Sequence, residues 1–466
     1  MVTLLLVLAL VFGFYVAWNI GANDVANAVG TAVGSRALTL KQAVIIAAIF
    51  EFSGAFFFGG NVSETMEAGL VNSAIFSHDM REYVYGMLAS LLATGVWLQL
   101  ASFCGWPVST THTIVGAVVG FGLALGGVQA IYWEEIGSIA LSWIVSPLLG
   151  GGLGYLIFTV IRYKILYDIS PIAAAKKYTP PFVFLMFAVL ISIIFFNGLS
   201  HFELHFSFLQ VLVLALSVGA ITSIIALFLV RRIKEPSLPM QGQNYQVEMS
   251  LKKVQKHLQR VEVASLGEVQ DEVQGLLRKV GKLIQENTVP EEVRYSEYGV
   301  VEKIFVYLQI IVACFMAFAH GSNDVANAIG PLSAIFNILE AKSLGFGSVS
   351  TVLLFIGGLG IVIGLATWGW RVIETVGRKI TELTPSRGFA AGFGAAATIV
   401  LASKLGLPIS TTHVLVGAVL GVGFARGIGA INLMTVRDIV ISWIVTVPAG
   451  AIFSIIFFYC IRALFS

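Results

Sequence analysis

Two short strings carry the polar chemistry of an otherwise apolar chain. Residues 21–30 read GANDVANAVG and residues 321–330 read GSNDVANAIG, identical at eight of ten positions and 300 residues apart. Each places a carboxylate among carboxamides: Asn23, Asp24 and Asn27 in the first copy, Asn323, Asp324 and Asn327 in the second. Carboxylate and amide oxygens are hard ligands. Gly21 and Gly30, or Gly321, Gly330 and Pro331, would let a helix unwind around them and add backbone carbonyls. Such a break suits a hard cation, sodium first, with Asn23, Asp24, Asn323 and Asp324 as candidate ligands. An ionised carboxylate in a bilayer costs roughly 3 kcal/mol or more unless it faces a cavity or an ion. Pairing between helices is the plainer alternative, and the second copy weighs against it.

A second pair of strings has the opposite chemistry. PVSTTH at 107–112 returns as PISTTH at 408–413, each after a Gly-x-Pro turn at Gly105–Pro107 or Gly406–Pro408 and before an apolar run. Ser109, Thr110 and Thr111, like Ser410, Thr411 and Thr412, fall at the N-cap and first turn of a helix. Free N–H groups, hydroxyl donors and the positive end of a helix dipole make an anion site. Ordinary N-capping explains one such triplet; two triplets converging at one depth point to a substrate. Donors without full charge suit an oxyanion such as phosphate or sulfate. The aspartates alone would repel it, so cations between carboxylate and anion would tie the binding of one to the other.

Three further positions carry polar groups in apolar surroundings. Glu51 is the only charge between Lys41 and Glu64, a candidate sodium or proton ligand. Lys404, near the second triplet, either attracts the anion or snorkels to water. His112 and His413 follow the hydroxyls and either orient the turn or carry protons.

The elements that must position these groups follow from composition. Mean hydropathy is +0.88, and only 12% of the 466 residues are charged, against about 25% in soluble domains. Residues 2–23, 182–200, 206–230 and 351–370 contain no Asp, Glu, Lys or Arg, and neither does the whole of 86–133. A spanning helix needs about 20 such residues, so the chain reads as an all-α polytopic membrane protein. Short alternating segments, the mark of a β-barrel, are absent. Residues 2–23 lack a basic n-region and read as a retained helix rather than a signal peptide. A net charge of +2 offers nothing to nucleic acid. Cys104, Cys314 and Cys460 lack metal-like spacing and read as packing residues.

The repeat extends beyond the motifs. SWIVSP at 142–147 returns as SWIVTVP at 442–448, a third landmark in the same order. The chain therefore divides into a first repeat (1–163), two linking helices (164–233), a polar helical insert (234–298) and a second repeat (299–466). In the insert, Val254, Leu258, Val261 and Leu266 recur with rough helical spacing. Lys and Arg near segment ends set the orientation. Arg162, Lys164, Lys176, Lys177, Arg231 and Arg232 mark cytoplasmic loops, which puts 198–205 and the N-terminus outside and the insert inside. In the second half Arg371, Arg378, Lys379, Arg387, Arg426 and Arg437 place the equivalent ends inside. The expectation is an inverted-topology repeat with broken helices and two re-entrant hairpins, an architecture of secondary transporters.

The strings GANDVANAVGTAVGS and GSNDVANAIGP, with the paired P-[VI]-S-T-T-H, resemble the PiT inorganic phosphate transporter family, over both halves. The resemblance implies sodium- or proton-driven uptake of inorganic phosphate, twelve membrane segments counting hairpin elements, both termini outside, and homodimers in the plasma (inner) membrane. Sodium would be co-transported, with no organic cofactor. It implies signature roles for Asp24, Asn27, Asp324 and Asn327 and for both triplets, with Asn27 and Asn327 joining the hydroxyls at the phosphate. The N-D-V-A-N wording and Glu51 resemble sodium-coupled members. A proton-coupled phosphate or sulfate permease and an anion channel are the alternatives. No Gly-x-Ser-x-Gly elbow accompanies the triplets, and matched pairs are not what a single catalytic centre needs.

Overall fold

A computed structural model describes residues 1–68, 70–76, 78–197, 206–233, 247, 251, 254–255, 257–259, 261–263, 267–286, 291–339, 351–370, 372–373, 383–427 and 431–465. Residues 198–205, expected outside the membrane, and the basic positions 371, 378 and 379 are not among these residues, nor is most of the insert up to residue 266. The described chain is helical, with one isolated bridge between Val71 and Ile131. Among the described residues eight helices are long and apolar enough to cross a membrane.

The first half runs through α1 (Val2–Gly34), α2 (Leu40–Phe58), the short α3 (Gly60–Ala68), α4 (Met80–Cys104), α5 (Thr110–Gly126) and α6 (Trp133–Ile161). Next come α7 (Pro171–Asn197), α8 (Phe208–Arg231) and the insert helix α9 (Glu268–Glu286). The second half runs through α10 (Glu291–Asp324), α11 (Ala326–Ile338), α12 (Thr351–Thr367), α13 (Pro385–Lys404), α14 (Thr411–Arg426) and α15 (Leu433–Phe465).

Two compact units form. Met1–Thr159, Met186–Gly219 and Val306–Ser466 make one, so both repeats share a single body. Val160–Leu185 and Ala220–Phe305 make the other, where Tyr298 donates to the Leu166 carbonyl (3.0 Å) and α9 buries Val273 and Val280.

Local sequence explains the two hairpins. Helix α4 stops at Gly105, which adopts φ 68°, and Gly406 adopts φ 67° at the second tip; a Cβ is unfavourable there. A few residues on, Ser109 and Ser410 cap α5 and α14, each accepting the backbone N–H three residues ahead at 3.2 Å. The tips thus lie at 105–109 and 406–410, where the Gly-x-Pro turns place them.

The two halves are threaded through one another. Helix α1 lies along α12, from Phe14 beside Gly360 to Val25 beside Gly369. A Cβ on Gly21 would meet the Ile361 carbonyl oxygen at 1.9 Å, and one on Gly321 would meet that of Glu51 at 2.1 Å, where α10 lies on α2. The pairs Gly364–Trp18 and Gly54–Phe318, and Gly369–Val25 and Gly59–Val325, match in the same way. Each hairpin's second helix likewise packs on the last helix of the other repeat: Gly116 and Gly120 on Val447 and Ala451, Gly417 and Gly421 on Pro147 and Gly151. Gly21→Ala is therefore expected to destabilise the protein by about 3 kcal/mol or more, since backbone opposes the new methyl and cannot step aside. The apparent melting temperature in detergent checks this; an unchanged value would contradict the close approach.

Two expectations need correction. Helix α1 is continuous from Val2 to Gly34, with no break at Asp24. The carboxylate is satisfied by side chains from other helices, as described below, so the backbone ladder stays intact. In the second half one residue, Val325, interrupts the run between α10 and α11. Its N–H still reaches the Gly321 carbonyl at 3.4 Å and its own carbonyl accepts from Ile329 at 3.0 Å, so the axis continues past it, and Pro331 lies inside α11. Of the cysteines read as packing residues, Cys104 and Cys460 are instead exposed, while Cys314 is half-buried.

Candidate functional site

The four polar strings meet in one buried cluster. Asn23, Asp24, Asn27, Asn323, Asp324, Asn327 and all six hydroxyl residues are each at most 2% exposed. Their convergence follows from the threading: α1 and α10–α11 supply the acidic strings, and the two hairpin tips supply the hydroxyls.

Asp24 accepts from three side chains. Thr110 donates a short hydrogen bond to Oδ2, while Oδ1 accepts from Asn27 Nδ2 at 3.0 Å and from Thr412 at 3.3 Å. Asn27 also reaches the opposite hairpin, donating to Thr412 (2.8 Å) and Thr411 (3.5 Å). Asp324 accepts from Thr411 on Oδ2 at 2.9 Å, and Asn327 donates to Thr111 at 3.3 Å. The tips clasp each other directly, Thr111 donating to the Ile409 carbonyl (2.9 Å) and Thr412 to that of Val108 (3.3 Å).

Asn23 and Asn323 hold the tips of their own halves. Asn23 donates to Ser102 Oγ (2.9 Å) and the Trp106 carbonyl (3.2 Å), and Asn323 pairs with Ser403 Oγ at 3.1 Å. Asn23 Oδ1 is buried without a hydrogen bond, which leaves it as an acceptor for a cation. His112 and His413 sit behind the hydroxyls in a column of four rings. Trp143 stacks on His112 at 3.7 Å, His112 faces His413 at 4.3 Å, and His413 stacks on Trp443 at 3.5 Å. The His112 ring also lies 2.6 Å from the Oγ of Ser109, the serine that caps α5. Lys404 closes the last turn of α13, beside the second tip.

One residue was missed. His320, fully buried, places Nε2 3.1 Å from Asp324 Oδ2 and Nδ1 3.4 Å from Glu51 Oε1. Asp24, His320 and Asp324 each bring a ligand atom to within 4.8 Å of the others, and Glu51 lies behind His320 rather than among them. The signal was present in the repeat itself, because Ile20 occupies the equivalent place before the first motif.

Chemically, two carboxylates and a set of hydroxyl donors now share one site. The hydroxyls that would hold an oxyanion are the ones that hold the aspartates. A model of the family described as phosphate transporter matches residues 20–454. The chain belongs to that phosphate transporter family. The family is one of transporters, not of enzymes. A chain of Chlamydia trachomatis carrying the inferred name phosphate permease is 49% identical over 463 residues, 99% of each chain. The chloroplastic inorganic phosphate transporter 2-1 of Arabidopsis thaliana is 42% identical over 451 residues, 96% of this chain and 70% of that one. The solved structure of a sodium-dependent phosphate transporter matches with a TM-score of 0.79 and 35% identity, over 98% of this chain and 99% of the other.

Proposed function

We propose that this family member imports inorganic phosphate with sodium across the plasma membrane by alternating access. The observation that carries the reading is the double use of the hydroxyls. Thr110, Thr411 and Thr412 donate to Asp24 or Asp324, so a phosphate competes with two carboxylates for the same donors. A sodium ion drawn to Asp24 or Asp324 takes over the carboxylate's lone pairs, frees the hydroxyls and screens the repulsion. Anion binding then depends on cation binding, which is the thermodynamic content of symport. Asn27 and Asn327, already bonded across the halves to Thr412 and Thr111, turn with the hydroxyls toward the anion.

The threading supports an inverted repeat. Helices α1 and α2, joined by five residues (35–39), cross a membrane in opposite senses if both span it. Helix α12 follows α1 from Phe14–Gly360 to Val25–Gly369, and α2 meets α10 through the matching contacts. Equivalent helices α1 and α10 then cross oppositely, and the two hairpins enter from opposite faces to meet at the shared site. Rocking of one half against the other exposes that site to either side.

Labelled phosphate uptake into proteoliposomes, with an inward sodium gradient or a pH gradient and with sulfate as competitor, tests the function. Saturable, sodium-driven uptake that sulfate does not displace is expected. Uptake driven by the pH gradient alone, or single-channel currents, would overturn the sodium symport. Within that assay Thr411→Ala, which removes one donor from a buried anion, is expected to weaken phosphate about 5- to 150-fold, the equivalent of roughly 1–3 kcal/mol. Thr411→Ser keeps the hydroxyl and should be far milder. Equal transport by both variants would reduce the triplets to helix caps.

A further inference from the structure

The contact pairs that relate the halves also show where they differ. Gly21 lies against Ile361 and Gly321 against Glu51, so Glu51 and Ile361 are equivalent, as are His320 and Ile20, one residue before each glycine. A buried glutamate and histidine in one half therefore stand where the other half has two isoleucines. Both Glu51 and His320 are 0% exposed, and neither Glu51 oxygen nor either His320 nitrogen makes an aligned hydrogen bond. A polar pair this deep, whose contacts on the page are to each other and to Asp324, is costly unless it serves the site it borders.

The imidazole lies within 4.8 Å of both aspartates, but at hydrogen-bond distance from one only. Around Asp24 the near polar groups are Thr110, Thr412 and Asn27, all oxygen or amide partners. Around Asp324 they are Thr411, the Asn323 amide at 3.1 Å from Oδ1, and the His320 imidazole, the one ring nitrogen of the set, which stands 3.1 Å from Oδ2. Sodium favours oxygen over ring nitrogen, and the ring occupies space next to the oxygen that a sodium would use. We propose that His320, backed by Glu51, is a positioning residue that makes the two cation sites unequal. Sodium enters at Asp24 first, and the Asp324 site fills only when the ion displaces the imidazole. Glu51 acts on the cation through His320 and is not itself a ligand. This rests on the sodium-coupled reading above. The order it imposes suits a carrier, because the weaker ion, bound last and released first, is the one that gates the hydroxyls of the second hairpin.

The other half supplies the test. Glu51→Ile with His320→Ile installs the residues found at 361 and 20, removes both polar groups together and leaves no buried charge unpaired. Equilibrium binding of labelled sodium to the purified full-length wild-type protein is expected to show two classes of site about tenfold apart or more. The double variant should bind sodium in a single class near the tighter value, and its phosphate uptake should rise more steeply with sodium. A single class in the wild type overturns the inference without recourse to any variant, as does a double variant with two unchanged classes. If the wild type neither binds sodium nor takes up phosphate with it, the symport reading itself has failed; two identical sodium sites with intact coupling remove only the inequality.

Discussion

Asp24→Asn is expected to lower sodium affinity by about 10- to 150-fold and to strip phosphate uptake of most of its sodium dependence. The substitution keeps the side chain's size and one oxygen acceptor for Thr110, so the hairpin contact survives, while the charge that attracts the cation is gone. A charge-assisted contact contributes about 1.5–3 kcal/mol, and each 1.4 kcal/mol is about a factor of ten. Phosphate binding measured at saturating sodium should change far less, because the hydroxyls of both tips remain. The sodium dependence of labelled phosphate uptake in proteoliposomes reads the first effect and equilibrium phosphate binding reads the second. Wild-type sodium dependence in this variant would remove Asp24 from the cation site.

The contrast between the two readouts reflects how the site is built. Asp24 is held by Thr110 from its own half and by Thr412 from the other, so the carboxylate is the junction between the hairpins as well as the cation's partner. Loss of charge there affects the ion, whereas loss of a hydroxyl affects the anion and the clasp between the tips. These are separable terms only because the donors and the carboxylate come from different helices.

What could be read from the chain was whatever is encoded locally. The glycine turns at 105 and 406 and the serines at 109 and 410 define each hairpin tip within six residues, and the structure forms both as written. The convergence of the motifs was legible as well, since matched polar strings in an apolar chain have few other uses. The unbroken α1 was not legible. Nothing near Asp24 in sequence shows that Thr110 and Thr412 arrive to satisfy it from 86 and 388 residues away. Without those donors, unwinding was the natural way to stabilise a buried carboxylate. The second task of Asn23 was not legible either: its amide nitrogen holds Ser102 and the Trp106 carbonyl while its oxygen stays open to a cation. His320 was passed over because attention to what repeats hides what does not. The histidine is visible only when the halves are aligned and the mismatch with Ile20 is taken as information.

The second large effect concerns which side of the membrane each hairpin opens on. Tyr132 follows the Val71–Ile131 bridge at the base of the first hairpin and is 42% exposed, and Arg426 ends the second helix of the other hairpin. Lys and Arg cluster near the second hairpin's base and not the first's, so Arg426 is expected inside and Tyr132 outside. The crossing senses inferred for α1 and α10 demand, by an independent route, that the two hairpins open on opposite faces. Tyr132→Cys and Arg426→Cys, each in a background with Cys104, Cys314 and Cys460 replaced by alanine, can be probed on intact cells with a membrane-impermeant thiol reagent. Removal of the native cysteines matters because Cys104 and Cys460 are themselves exposed. Position 132 is expected to label on intact cells, and position 426 only after the membrane is opened, an all-or-none difference. Labelling of both from one side would make the repeats parallel. The hairpin tips would then reach the aspartates from the same face, the shared site would have a single mouth, and transport by rocking of inverted halves would have to be abandoned.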